Sequence, residues 1–228
     1  MAIEIHPMPH ALPEDLRHAL AEVSLATIGH LLEEGFVDPG VRALVTPAKM
    51  VGRAITVRTT PPDSALVHAA AAMLEPGDTL VIDIGGDGRH ACVGEMVALA
   101  ARCRGAAGIV VDGVCTDIVE IRAMGLPVFA RGTSLLTTKL LGLRSGTING
   151  AITCGGVIVR PGDAVLGDDN GVLILPPEIA RWAAEEARPR EAWEPGLREH
   201  LRGGGSLAEW SGADRMVAQA TDSGRARR

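Results

Sequence analysis

Two carboxylates, Asp117 and Glu120, stand three residues apart in VVDGVCTDIVEIRAMG, just after the strand-like run that ends in Asp112-Gly113. On a helix that spacing puts both on one face. A third acid, Glu95, follows Gly94 at the start of a helix-like run, GEMVALAARCRG. Carboxylate oxygens are hard ligands. Clustered, these three would suit Mg²⁺ or Mn²⁺ with several waters retained. Gly94 lets backbone come close to a bound group, and the first free N–H groups of the helix, on Met96 and Val97, favour a carboxylate or a phosphate. The preceding loop, GGDGRHACV, adds Arg89 and His90.

The same residues have a plainer use. Acids in the first turn stabilise a helix through capping and the macrodipole alone, and GGDG serves as a simple turn. Other chemistries lack their motifs. There is no GxGxxG, no GxxxxGK[ST] and no GxSxG. No His/Cys spacing suggests zinc. His30 and His68 fall on helix-like stretches beside apolar neighbours, where packed or surface roles are expected. The only lysines, Lys49 and Lys139, lie outside the candidate segments, which argues against Schiff-base chemistry.

The elements that must position these residues follow from pattern. TLVIDIGG and GIVVDG are near-continuous apolar runs, as in parallel strands buried on both faces. VGRAITVRTT and LPVFARG also read as strands. Helices are expected between Pro62 and Pro76, from Gly94 to Gly105, and up to Gly125. The resulting β-α-β-α-β order implies a parallel sheet covered by helices. In such sheets ligands sit beyond the carboxyl ends of the strands. Downstream, NGAITCGGVIVRPGDAVLGDDNGVLILPP contains three or four short strands parted by GG, PGD and DDNG, which suits an antiparallel or mixed sheet. Pro13 to Gly35 is expected to be one helix. A charged helix follows Pro177. The expected organisation is one domain over 1–205 and an extension over 206–228, whose basic end, GRARR, is expected to be disordered.

Composition narrows the function. The chain has 228 residues, 46% of them apolar, and a net charge of −6. That is enough for a sizeable core, and it gives no general attraction to nucleic acid or acidic membranes. With no Tyr, two Phe and three Trp, a base-stacking platform has little to work with. Cys92, Cys103, Cys115 and Cys154 form no CxxC pair and are expected to be reduced, mostly buried thiols of a cytoplasmic protein. No secretory leader and no membrane span is read.

The ordered set PGDTLVIDIGGD, GEMVALAARCRGAAGIVVDG, Asp117-x-x-Glu120, GLPVFARGTS and CGGVIVRPGDAVLGDDNGVLILP resembles the RraA-like family. That family includes class II 4-hydroxy-4-methyl-2-oxoglutarate/4-carboxy-4-hydroxy-2-oxoadipate aldolases and the regulator of ribonuclease E activity. The resemblance runs from about residue 20 to about residue 180. It implies a swivelling β/β/α fold of the α/β class, a homotrimer or hexamer with active sites between subunits, and a divalent metal, usually Mg²⁺. By the same resemblance Asp117 holds the metal, partly through water. Glu95 and Glu120 match nearby acids, and the backbone from Gly94 to Val97 binds the carboxylate of a small 2-oxo acid.

Thr116 departs from the pattern. The family's aldolases carry Arg-Asp where this chain has Thr116-Asp117. A fixed cation matters most where negative charge develops, and losing such a group commonly costs ~10² to 10³ in rate. Thr offers one neutral hydrogen bond. Arg89 is the first candidate to supply the missing charge, ahead of Arg122. The reading is a metal-dependent lyase that cleaves a 4-hydroxy-2-oxo acid to pyruvate, with oxaloacetate decarboxylation as a side activity. The alternative is a non-catalytic regulator that works by protein contact.

Overall fold

The computed structural model describes residues 3–142 and 145–225. It begins with an edge strand, β1 (Ile3–Ile5), and two short helices, α1 (Glu14–Glu22) and α2 (Leu25–Ile28). The two-residue β2 (Arg42–Ala43) precedes the long β3 (Lys49–Arg58). Helix and strand then alternate: α3 (Ala65–Met73), β4 (Asp78–Asp83), α4 (Glu95–Cys103) and β5 (Gly108–Asp112). A short β6 (Val114–Cys115) leads into α5 (Ile118–Met124) and β7 (Val128–Ala130). Next come β8 (Gly132–Thr133), β9 (Gly146–Ile148), the hairpin β10 (Ile152–Cys154) with β11 (Val157–Val159), and the hairpin β12 (Ala164–Asp168) with β13 (Gly171–Leu175). Three helices close the chain: α6 (Pro177–Arg202), α7 (Leu207–Ser211) and α8 (Ala213–Arg225).

The parallel core is β3-β4-β5-β7. Its residues alternate between two buried faces, as the two-residue period of a strand demands. Ile55, Val57, Leu80, Ile82, Ile109, Val111 and Val128 pack under α3, α4 and α5 with Leu66, Val97, Ala101 and Ile121. Their neighbours Ala54, Val81, Val110 and Phe129 face the other way, onto Ile152, Cys154, Val159 and Val165. A third cluster joins α1 and α6 to the β12–β13 hairpin through Leu16, Leu20, Leu166, Ala180 and Ala184. The expected mixture of helix-covered parallel sheet and antiparallel strands is therefore present. One detail differs from expectation. The antiparallel strands β12 and β13 belong to the same sheet as the parallel ones. Strand β3 is long enough to pair with β12 over Lys49–Arg53 and with β4 over Arg53–Arg58.

The single helix expected from Pro13 to Gly35 is a second correction. Val23 and Ser24 are extended, and the chain restarts as α2. In an unbroken helix Leu25 would lie about 180° around from Leu16. The break lets both be buried. It also frees the Ser24 N–H, which donates to the Glu191 carboxylate of α6. At the other end, α7 packs on α6 through Trp210, whose ring lies 5.4 Å from Trp193 and 4.9 Å from His200. Residues 224 and 225 of the tail belong to α8. The rest of the tail lies outside the described residues. Among the described residues no helix is long and apolar enough to cross a membrane.

The junction of β3 and β4 carries a buried ion pair. Arg53 is 4% exposed and Asp78 1%. Arg53 Nε donates to Asp78 Oδ1 at 2.7 Å and its Nη2 to Asp78 Oδ2 at 3.0 Å. The remaining donors reach Pro9 O and Glu75, so the guanidinium is well satisfied. Removing one partner of such a pair strands the other charge. Arg53→Ala is expected to lower unfolding free energy by about 3–5 kcal/mol in urea titrations. Replacing both residues by apolar ones of similar volume is expected to recover much of that loss.

Candidate active site

Three extended segments run side by side beyond the sheet's carboxyl edge. Val93 bridges Cys115 in parallel, and β6 pairs in parallel with β8. Each segment ends in a residue of interest: Gly94, Thr116 and Ser134. Thr116 N–H donates to Val93 O at 2.9 Å, and Ser134 N–H donates to Cys115 O at 2.8 Å. This small parallel patch sets the register of the whole site.

Asp117 follows at once, with φ 53° and ψ 42°, in the left-handed region. Asp is among the few non-glycine residues that accept this conformation. Only Thr116 and Asp117 separate β6 from α5, with Asp117 as the N-cap residue. This left-handed turn throws the Asp117 carboxylate onto the start of α4, where Oδ2 accepts the Glu95 N–H at 3.0 Å. Thr116 Oγ1 donates weakly to Oδ1 at 3.3 Å. Gly94 permits this approach: a Cβ at that position would lie 2.5 Å from Asp117 Oδ2 and 2.9 Å from Thr116 Cγ2. One of the four donors left open at the start of α4 is thus taken. The N–H groups of Met96 and Val97 have no acceptor among the described residues.

The three acids do not close into a cluster. Among the described residues no three His, Cys, Asp or Glu side chains come together as a metal cage. Asp117 stands at the N-cap, in the left-handed region, and Glu120 at the third helical position of α5. Glu120 is exposed in the first turn of α5 without a side-chain partner among the described residues. Glu95 is half-buried as the first residue of α4. Asp117 and Glu120 are both exposed carboxylates with open lone pairs. Mg²⁺ is commonly held by one or two carboxylates, with water and substrate oxygens completing the shell. The donor set fits that ion and gives zinc no nitrogen or sulfur ligands.

The loop from Gly85 to Val93 is tightly pinned. Its Asp87 accepts the N–H groups of Arg89 at 2.6 Å and His90 at 2.9 Å, and its Oδ2 lies 2.6 Å from His90 Nδ1. Partial burial pushes the Asp87 carboxyl up, but those hydrogen bonds outweigh it and hold the group below the usual carboxylate range. His90 is therefore committed to Asp87. Ser134 Oγ donates to Arg89 O at 2.7 Å, and Ala91 exchanges backbone hydrogen bonds with Leu136 and Thr138. Arg89 is exposed, and its guanidinium has no partner among the described residues. Arg122, by contrast, donates to Leu44 O at 3.0 Å, away from Asp117.

The strand-end acids are spent on structure. Asp83 accepts the Gly85 N–H at 2.7 Å. Asp112 accepts from Arg131 Nε at 2.5 Å and from the Gly155 N–H at 2.7 Å. Three cysteines are buried and unreacted, and burial pushes the Cys92 thiol up to about 12. Ser134 escaped the sequence reading. Its only signal there is its place directly after the strand-like GLPVFARGT.

Comparison with known proteins decides the family. The profile of the RraA-like family, Aldolase/RraA, matches residues 23–174. The chain belongs to the RraA-like family. A Halalkalibacterium halodurans protein named "Putative 4-hydroxy-4-methyl-2-oxoglutarate aldolase" is 39% identical over 144 residues, covering 63% of this chain and 68% of that protein. Among solved structures, Streptomyces coelicolor RraAS2, described as an unusual member of the RNase ES inhibitor RraA family, superposes with a TM-score of 0.73. It is 30% identical and covers 85% of this chain and 98% of its own. RraA from Thermus, described as an RNA-processing inhibitor, gives a TM-score of 0.61 at 30% identity, over 68% of this chain and 93% of its own. The RraA-like match contains Arg89, Gly94, Glu95, Thr116, Asp117, Glu120 and Ser134. It leaves out α6, α7 and α8.

Two tests follow from this geometry. In Gly94→Ala the new methyl must displace the Asp117 carboxylate, breaking its bond to Glu95 N–H. Urea unfolding is expected to show a loss of about 1 kcal/mol or more, and an unchanged midpoint would mean the contact is not maintained. The depressed Asp87 carboxyl stabilises the fold above the ordinary carboxylate pKa, and that contribution is lost as pH falls through its folded value. The stability gap between wild type and Asp87→Asn should therefore be full at pH 6 and shrink toward pH 3 in the same assay.

Proposed function

We propose that this chain is a divalent-metal-dependent carbon–carbon lyase acting on a 4-hydroxy-2-oxo acid, releasing pyruvate. One observation carries the reading: the Asp117 carboxylate is set on the open N-terminus of α4, beside the unpaired N–H groups of Met96 and Val97. A ligand for a cation and a seat for an anion are thus adjacent. Both features lie within the RraA-like match, and one matching relative bears an aldolase name.

Asp117 would hold Mg²⁺ or Mn²⁺. When bound, that ion supplies a Lewis acid for the 2-oxo oxygen. The Met96 and Val97 N–H groups would receive the substrate carboxylate, aided by the positive end of α4. Glu95 or Glu120, through a water, would take the proton from the substrate's 4-hydroxyl. The bond between its carbon and the neighbouring methylene then breaks, leaving a pyruvate enolate that is protonated and released. Arg89 would supply the positive charge that Thr116 cannot. Nearby arginines are committed elsewhere: Arg122 to Leu44 O, Arg102 to Met124 O, and Arg131 to Asp112 and Asp38. The same enolate chemistry would decarboxylate oxaloacetate.

Self-association fits this reading. Met96 is 63%, Val119 71% and Leu135 98% exposed, and all three flank the site in sequence. A trimer or hexamer that covers them would also wall the site, which is otherwise open to water.

A second reading has its own support. Thr116 removes the charge the family's aldolases place beside the acid, and the RraAS2 match belongs to a family named for inhibiting an RNase. A non-catalytic protein-binding regulator would keep the fold without the chemistry. Pyruvate release from oxaloacetate and 4-carboxy-4-hydroxy-2-oxoadipate separates the two. Release with Mg²⁺ is expected to vanish with EDTA and in Asp117→Ala, and to fall ~10² to 10³-fold in Arg89→Ala. No release from either substrate, together with no Mg²⁺ binding, would favour the regulator.

A further inference from the structure

The side chain that positions Arg89 stands next to the residue that replaces the family arginine. Ser134 continues the strand paired to β6, and its N–H donates to Cys115 O, the carbonyl just before Thr116. Its hydroxyl makes two further bonds. It donates to Arg89 O at 2.7 Å and accepts the Leu136 N–H at 3.1 Å. One residue therefore ties the Arg89 loop, the Asp117 strand and the segment after β8 together.

The second tie on Arg89 is its own N–H, held by Asp87 at 2.6 Å. Both backbone groups of Arg89 are thus fixed, on a loop whose Gly85, Gly86 and Gly88 would otherwise leave it free. A fixed backbone limits where the Arg89 guanidinium, which has no partner among the described residues, can reach. A cation whose backbone is held also needs less reorganisation when charge develops.

We infer that Ser134 is a positioning residue: through its hydroxyl it holds Arg89 beside Thr116, so that the Arg89 guanidinium takes the place of the missing family cation. This inference rests on the proposed 2-oxo acid reading of the site. Ser134 itself touches no substrate. Its effect runs through Arg89, so it should disappear when Arg89 is gone.

Oxalate, a planar stand-in for the pyruvate enolate, probes this without turnover. Its binding in the presence of Mg²⁺ is measured by calorimetry on the full chain and on five variants. These are Ser134→Ala, Ser134→Thr, Arg89→Ala, Asp117→Ala and the Ser134→Ala/Arg89→Ala double variant, each checked for an unchanged unfolding midpoint. Ser134→Ala is expected to weaken oxalate about fivefold to tenfold, the worth of one hydrogen bond. Ser134→Thr, which keeps the hydroxyl, is expected to bind within about twofold of wild type. In the Arg89→Ala background, Ser134→Ala should have no further effect. If Ser134→Ala weakens binding equally with and without Arg89, Ser134 does not act through Arg89, and the inference is overturned while the 2-oxo acid reading stands. If wild type binds oxalate no better than Asp117→Ala, the 2-oxo acid reading fails and this assignment fails with it.

Discussion

The Asp117 carboxylate fills the space a side chain at position 94 would need. Everything else at the site depends on that close approach. Gly94 permits it, and the left-handed Asp117 produces it. The parallel patch of Val93, β6 and β8 fixes the register in which it occurs. The left-handed turn has a purpose that a longer loop would not serve. It joins strand to helix with only Thr116 and Asp117 between them, so the acid is carried on backbone that is hydrogen-bonded on both sides. Strained non-glycine residues commonly cost about 1–3 kcal/mol and persist only where the surroundings over-determine them. Here Ile121 N–H on Asp117 O, Glu95 N–H on Oδ2, and the Thr116–Val93 bond do so.

The electrostatics of this arrangement are informative. A carboxylate at a helix N-terminus is stabilising in its own right, so Asp117 acts as a cap for α4 whether or not it binds anything. The open donors on Met96 and Val97 suit a second anion. Two carboxylates at one helix end repel, and the half-charge of a nine-residue helix does not neutralise both. Positive charge between or beside them resolves the conflict. A dication on Asp117 and the Arg89 guanidinium are the two sources within the proposed site. In the proposed site, affinity for the anion would rise once a cation has bound.

Much of the fold was legible in the sequence because the buried strands are apolar on both faces. TLVIDI and GIVVD could be placed without knowing their partners, since each residue faces one of two cores. The break in the N-terminal helix was not legible. Its one local sign is Ser24, a residue type that favours the N-cap, and the tertiary demand to bury both Leu16 and Leu25 selects the break. The site divided in the same way. Gly94, Glu95 and the free N–H groups follow from a local rule about helix starts. The left-handed turn at Asp117 rests on one backbone dihedral that spacing cannot reveal. Ser134 was invisible because its function is a bond across 45 residues, and nothing in its neighbourhood marks it.

Thr116 is the point on which the enzyme and regulator readings divide, and the structure reframes the question. Thr116 places its methyl against Gly94 and its hydroxyl on Asp117. It therefore supports the acid directly. A family arginine at this position would bring a charge to the same spot from the residue just after β6. In this chain the charge would have to come from the neighbouring loop. That loop is held by hydrogen bonds at Asp87, Ala91 and Ser134, far more than a surface turn requires. Arg89 therefore stands on a fixed stretch of backbone with its guanidinium unpaired among the described residues, and it is on this feature that the catalytic proposal draws.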